Sequence, residues 1–504
     1  MKRVAFIDLG SNSVRMNIVQ INDDGSYYLM DQVKQMVRLS QGMGPELTLK
    51  PEPVKRTVEA LKLFRKLIAV YQVGTVHSVA TAAVRQATNQ TAFLETLRQE
   101  TQMEFEVITG QEEAYYDYLG VMNTIDAPDC LVVDIGGAST ELVWVEHRQI
   151  RESISLPFGS VTLSERFISK DPTPEDLQKL RAFILKAFRE VRWLKNAKGL
   201  PVLGLGGIIR TIGKIDKNRV QFPVLTLHNY QITDEEVNLV YDKVVGSTFE
   251  ELRAMAGIGK SRADLMAGGI MPIKCAMELL GSRKLIISGN GLRDGLFFRR
   301  EILAPAGELV PDVLEHSLDN LMKRYGVNRR HASHVNTLTL SMFDQLQGIH
   351  GFSEQHRKVL HAAALLHDIG MHIDYFNHHY HGFYLVMNAD LNGLTNRERV
   401  MTAFLVGHHR ESSFREDWKK YRAVMNAKDY EDIRRLALFL KSAEKLDRSE
   451  AALVEAVSVN WSKKGLTLRL KGQGDLSLEL AAVSQYRNEF QRLLKRELTV
   501  IAEA

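Results

Sequence analysis

Apolar and polar positions along the chain change rhythm twice. In the first three-fifths, short continuous apolar runs such as Val4-Ala5-Phe6-Ile7 and Leu131-Val132-Val133 alternate with stretches of helical period. Residues 1–124 read as a strand hairpin, a strand, a helix over 54–70, a strand over 75–80, a helix, a strand over 105–108 and another helix. Residues 125–303 also open on a strand hairpin. They continue through helices near 174–196 and 233–247 and glycine-bearing apolar segments at 202–209 and 285–292. Strands alternating with helices predict α/β layers, and the repeated opening predicts two related lobes. Pro305, Gly307 and Pro311 then mark a linker. Beyond it the spacing is helical, as in Val335/Leu338/Met342/Leu346 and Ile433/Leu436/Leu440, so 304–452 reads as an all-α domain. Residues 453–504 alternate once more, at 457–461 and 466–470, before a helix from about 485. They form a small α+β cap.

Composition adds exclusions. A net charge of +4 over 504 residues is too small to imply nucleic acid, and no run of apolar residues is long enough to span a membrane. Cys130 and Cys275 are the only cysteines, each beside an apolar run, which rules out a disulfide framework and fits a reducing cytoplasm.

The chemistry begins with a repeat. Asp8-Leu9-Gly10-Ser11-Asn12-Ser13 and Asp134-Ile135-Gly136-Gly137-Ala138-Ser139 each follow an apolar strand and precede a second strand-like run. A Gly/Ser turn of this kind offers successive backbone N–H groups to an anion. The aspartate would repel a phosphate unless a metal lay between them. Two such hairpins facing each other would grip a phosphate chain and its Mg²⁺ from both sides.

Around the repeat stand further candidates. Thr109 and Glu112 have capping-box spacing, which leaves Glu113 about 100° away around the helix and free to act as a base on water. Glu141 is either a cross-strand charge or a ligand to a metal-bound water. Gly206 and Gly207 lie in a glycine-rich turn after a strand. Arg15, Arg85, Arg210 and Arg293 sit at strand ends or in glycine-bearing loops, where they serve as phosphate ligands or as packing.

These motifs, with Ala80-Thr-Ala-Ala-Val-Arg85, Gly110-Gln-Glu-Glu-Ala114, Asp134 to Glu141 and Gly291-Leu-Arg-Asp-Gly295, resemble the exopolyphosphatase/guanosine pentaphosphate phosphohydrolase family in its own order. The resemblance implies two actin-like (ribonuclease H-like) lobes, followed by an HD-like helical domain and the cap. It implies Mg²⁺ in the cleft, and leaves a monovalent cation such as K⁺ open. Glu113 matches the catalytic glutamate; Asp8, Asp134 and Glu141 match acids around the metal. Arg15 and Arg293 match arginines on the phosphates, which Gly10 to Ser13, Gly136 to Ser139, Arg85, Gly206 and Gly207 would also contact. Ala138 stands where the family often has glycine. The implied activity is exopolyphosphatase, with guanosine pentaphosphate (pppGpp) hydrolysis as the close alternative. A non-catalytic sensor of polyphosphate or ppGpp is a third reading, and the retained acids count against it. The family also implies a cytoplasmic homodimer.

Twelve of the sixteen histidines fall between His331 and His409. His334, His367-Asp368 and Glu444 resemble the metal-binding pattern of HD phosphohydrolases, with glutamate where those enzymes have aspartate and Asp447 one turn on. The expected role of this region is support for a substrate channel and dimer contacts rather than a second active site.

Overall fold

The computed structural model describes residues 1–169, 172–260, 262–303, 307–410 and 414–503. Its contacts divide the chain into two compact units, residues 1–221 with 226–313 and residues 222–225 with 314–504. The expected linker falls partly on 304–306, which lie outside the described residues.

The first unit contains two sheets built to one plan. β1 (Lys2–Leu9), β2 (Ser13–Ile21) and β3 (Tyr27–Met36) form an antiparallel meander. β4 (Thr75–Ala80) and β5 (Glu106–Val107) extend it in parallel on the β1 side, giving the order β3-β2-β1-β4-β5. In the second sheet β6 (Cys130–Ile135), β7 (Thr140–Glu146) and β8 (Gln149–Leu156) repeat the meander, and β9 (Val202–Leu205) lies parallel to β6. β10 (Tyr230–Thr233) is an antiparallel edge strand on β11 (Lys284–Ile287), itself parallel to β9. This duplicated order is the two-lobed actin-like architecture expected from the sequence.

The period of two along β1 explains how the lobes are joined. Ala5, Ile7 and Leu9 pack into one core with Leu61 and Phe64 of the helix Pro51–Val70. Val4 and Phe6 pack into another, together with Cys130 and Val132 of β6, Leu203 of β9 and Ile286 of β11. Two helices share that second core, Gly110–Met122 and Leu292–Phe297. They touch backbone to backbone. A Cβ on Gly295 would lie 1.8 Å from the Tyr116 carbonyl oxygen, and one on Gly120 would lie 2.4 Å from that of Gly291. Both helices carry residues of the cleft at their N-terminal ends.

Two elements depart from expectation. The strand over 105–108 shrinks to the two residues of β5, because Thr109 immediately caps the next helix. Helix Met266–Leu280 is buried on nearly every face, so it lacks the amphipathic period that would have announced it.

The second unit is helical as predicted, with Arg329–Gln345, Glu354–Leu366, His378–Asn388, Asn396–His408 and Ala427–Leu446 around one core. Its sheet has three strands rather than the expected two: β12 (Val454–Trp461) antiparallel to β13 (Gly465–Gly472), and β14 (Glu497–Ala502) parallel to β13. The expected terminal helix is Arg487–Leu494, and together with a further helix, Ser477–Ser484, it supplies the crossover that a parallel pair requires. Among the described residues no helix is long and apolar enough to cross a membrane.

Candidate active site

Each hairpin turn closes with the same bond, Gly10 N–H to the Ser13 carbonyl at 3.2 Å and Gly136 N–H to the Ser139 carbonyl at 3.0 Å. The two turns meet: a Cβ on Gly137 would stand 2.9 Å from that of Ser11. Strand register then places equivalent residues in rows. Asp8 pairs with Arg15 and Arg15 with Lys34 across β1, β2 and β3. Asp134 pairs with Glu141 and Glu141 with Ser155 across β6, β7 and β8. Paired residues project to one face of a sheet, so each aspartate stands beside its row.

The cavity over these rows is lined by Asp8, the Gly10–Ser13 turn, Arg15, Glu113, Asp134, Gly136, Gly137, Ser139, Gly206, Gly207 and Arg293. Most of the residues expected from the sequence are therefore gathered at one place. Ala138 is buried outside the lining. Glu141 is also outside it, and its Oε1 accepts a 2.7 Å hydrogen bond from Ser155. Arg85 reaches the site through Glu113, to which its Nη1 donates at 3.0 Å while also donating to the Ile108 carbonyl at 2.8 Å.

The two neighbouring glutamates behave differently. Glu112 is exposed and closes a capping box, accepting from Thr109 N–H at 2.7 Å. Those bonds to Thr109 hold its carboxyl below the usual range. Glu113 is buried, and burial pushes it up to about 7 against the opposing pull of Arg85.

Four charged residues of the lining were not among the site residues expected from the sequence. Asp117 follows Glu113 by one helical turn, so the i, i+4 pair on one face was its signal. Burial and the neighbouring acids Asp134, Glu141 and Glu113 hold Asp117 well above the ordinary carboxylate range. Lys34 and Arg262 join Arg15, Arg210 and Arg293 on the cationic side. Lys34 is driven down to about 7 by burial and then by the surrounding guanidiniums. Asp294 accepts from Gly291 N–H at 2.9 Å and so fixes the turn that carries Arg293. Gly206 has φ +93°, and any Cβ there would stand 2.7 Å from Asp134 Oδ1.

Buried oxygens test whether a cation fits. Among the described residues Asp117 Oδ2, Asp134 Oδ1 and Glu141 Oε2 have no hydrogen-bond partner, and burial raises all three carboxyls. Unpaired carboxylate oxygens in a buried site suit a hard divalent ion.

In the second unit the structure corrects two expected residues. His331, not His334, meets His367 and Asp368. His331 sits in the first turn of its helix, whereas His334 keeps a buried Nε2 with no hydrogen-bond partner among the described residues. Asp447, not Glu444, bonds His331, because the helix ends at Leu446 and its C-cap residue turns onto that ring. Glu444 stays within electrostatic reach of His367 but belongs to neither histidine cluster.

Two facing Gly/Ser hairpins, a buried acid group and a cluster of arginines on a duplicated lobe define a phosphate-handling protein of the actin-like class. The sequence comparison gives the family. Residues 18–303 match the Ppx/GppA phosphatase family and residues 313–499 match Ppx/GppA phosphatase, domain III. The chain belongs to the Ppx/GppA family and is a hydrolase of phosphoanhydride bonds. It is 29% identical over 499 residues to a guanosine-5'-triphosphate,3'-diphosphate pyrophosphatase of Aeromonas hydrophila, covering 97% of each chain. The crystal structure of an Aquifex aeolicus Ppx/GppA family member is similar at 32% identity and TM-score 0.52, covering 61% of this chain and 99% of that one. An exopolyphosphatase from Cytophaga hutchinsonii shares the fold at 23% identity and TM-score 0.56, covering 59% of this chain and 97% of that one.

Proposed function

We propose that the protein is an exopolyphosphatase that releases orthophosphate from the end of inorganic polyphosphate. The observation that carries this reading is the shape of the charge. Beyond the acids, the cleft continues into a second cavity of about 450 Å³ lined by Arg15, Lys34, Arg210, Lys214, Arg262 and Arg293 and, among the described residues, by no carboxylate. Such a groove suits a linear polyanion with its terminal phosphate at the acidic end.

In this reading the N–H groups of both turns, Arg15 and Arg293 hold phosphate oxygens, and Arg85 holds Glu113 in place. Glu113 accepts a proton from water as the water oxygen attacks the terminal phosphorus and the bridging P–O bond breaks. Asp8, Asp134 and Glu141 would hold Mg²⁺, with Asp117 beside them. The ion supplies charge neutralisation at the phosphates and the leaving oxygen.

One observation favours a second reading, pppGpp. A less polar cavity of about 370 Å³ shares Asn12 and Leu265 with the phosphate cleft and offers Arg38, Gln41 and Glu165 at its wall. It has room for a nucleobase, and the Aeromonas relative is named for that substrate. The test is orthophosphate release with Mg²⁺ from long-chain polyphosphate, pppGpp and ATP at equal terminal-phosphate concentration, with Glu113→Gln alongside. Release fastest from polyphosphate and lost in the variant supports the first reading. Preference for pppGpp supports the second, and full activity in the variant removes Glu113 from the mechanism.

A further inference from the structure

We infer that Asn17 is a positioning residue for substrate binding: its amide oxygen holds Arg293 in place across the two lobes without cancelling the charge a phosphate needs. Arg293 belongs to the helix Leu292–Phe297 of the second lobe and Asn17 to β2 of the first, 276 residues apart in the chain. Arg293 Nη1 donates to Asn17 Oδ1, and Gln32 Nε2 donates to the same oxygen at 3.0 Å. A guanidinium can only donate, so the amide must turn its oxygen toward Arg293, and the second donor holds it there.

The strands explain why these groups meet. Asn17 stands two residues beyond Arg15 on β2, hence on the same face, and β3 sets Gln32 opposite Asn17 and Lys34 opposite Arg15. On β1 the partner of Asn17 is Phe6, which packs into one core with Leu292 and Phe297. The bond to Arg293 therefore lies at the polar edge of the apolar joint between the lobes. Arg293 and Gln32 line the cationic cavity, whereas Asn17 is buried and lines neither that cavity nor the acidic one. Asn17 thus reaches substrate only through Arg293.

Neutral oxygens hold the other guanidiniums too. Arg15 Nε donates to Ser13 Oγ at 3.2 Å, and Arg262 Nη1 donates to the Gly207 carbonyl at 2.6 Å and to Thr211 Oγ1 at 3.1 Å. Among the described residues no carboxylate forms an ion pair with Arg15, Arg262 or Arg293, whereas Arg85, which steadies Glu113, is paired with it at 3.0 Å. Asp294 and Asp8 act on Arg293 without pairing with it. A carboxylate at position 17 would fix the guanidinium equally well but neutralise it. The amide leaves it both ordered and charged. Where Arg293 holds substrate phosphate, as proposed above, little side-chain freedom is then lost on binding.

The test measures kcat and KM of the full chain for Mg²⁺-dependent phosphate release at low and high KCl, with the faster of polyphosphate and pppGpp as substrate. Arg293→Gln is the reference, and melting curves establish that each variant folds. Asn17→Asp keeps the shape and the hydrogen bond. It should raise KM about 10- to 100-fold, close to Arg293→Gln, with kcat within about 3-fold of wild type. Its KM should also rise less steeply with KCl than that of wild type, because one cation of the groove is cancelled. Asn17→Ala frees Arg293 but leaves its charge, so KM should rise about 3- to 10-fold with the wild-type salt dependence. If Arg293→Gln raises KM while Asn17→Ala does not, or while Asn17→Asp keeps the wild-type KM and salt dependence, the role of Asn17 is overturned. A change confined to melting temperature in the Asn17 variants would overturn it as well. Wild-type KM in Arg293→Gln would instead remove Arg293 from the phosphates, and Asn17 with it.

Discussion

Replacing Arg85 by glutamine should move the pH at which the enzyme switches on. Arg85 Nη1 donates to Glu113 Oε2 at 3.0 Å inside the cleft, and Glu113 sits at about 7 with that guanidinium in place. Burial drives the carboxyl up and Arg85 is the largest opposing influence. An ion pair at about 4 Å in a medium of effective dielectric ~20 is worth up to about 4 kcal/mol. Opposite charges at this range shift a carboxyl by about 1–3 units. Taking a rise of about one to two units on removal, the ionised fraction of Glu113 at pH 7 falls from about a half to roughly 0.1–0.01. A base must be ionised to accept a proton, so kcat/KM at pH 7 should drop about 5- to 50-fold and recover as the pH approaches 9. Arg85→Lys keeps the charge without the second bond to Ile108, so its profile should lie between the two. The assay is kcat/KM for phosphate release between pH 5.5 and 9.5 at saturating Mg²⁺. A loss of the same size at every pH, or an acid limb unmoved in Arg85→Gln, would falsify the electrostatic coupling.

Lys34, held near 7 by burial and its guanidinium neighbours, loses its charge as the pH rises. KM for polyphosphate should therefore climb above pH 7, and Lys34→Arg should flatten that climb; an unchanged profile would remove Lys34 from the binding groove. Gly206→Ala forces a Cβ onto the Ile135 carbonyl at 2.5 Å with φ +93°, and should cost about 2–4 kcal/mol in urea unfolding. A variant as stable and active as wild type would show that this turn can relax. In the metal-free protein, burial raises Asp8, Glu113, Asp117, Asp134 and Glu141, so folding favours their protonated forms. Stability from Glu113 is fully present below its ordinary 4.5 and is lost as pH rises through about 7, about 3 kcal/mol in all. Melting temperature should thus be higher at pH 5 than at pH 8 without metal, and Mg²⁺ should raise it at pH 8; equal melts under all three conditions would contradict the acid cluster.

The hairpins were legible because a repeated motif survives any uncertainty about element boundaries. Glu112 and Glu113 separated cleanly because a capping box fixes one residue and so frees the other. Asp117 was missed because Glu113 was weighed only against its neighbour Glu112 in the capping box, and not against the acid one turn further along the same face. Lys34 was hidden by register: its place beside Arg15 depends on the irregularity between Ile18 and Val19, which no spacing rule supplies. The choice of His331 over His334, three residues apart, turned on where the facing helix ends. β14 escaped because Leu498 to Ile501 follows closely on a helix whose end at Lys495 is marked only by a left-handed residue.

The two strand rows have a further consequence. They are copies in backbone, yet one reads Asp8-Arg15-Lys34 and the other Asp134-Glu141-Ser155. Duplication has kept the scaffold and divided the charge, so the cleft has an electrical polarity that its near-symmetrical frame lacks. A uniform chain of identical phosphates carries no direction of its own; here the protein would impose one, with its cationic row along the chain and its acidic row confined to the final phosphate and its counterion. Exchanging Arg15 for an acid, or Glu141 for a base, would restore the symmetry of the frame and erase that direction.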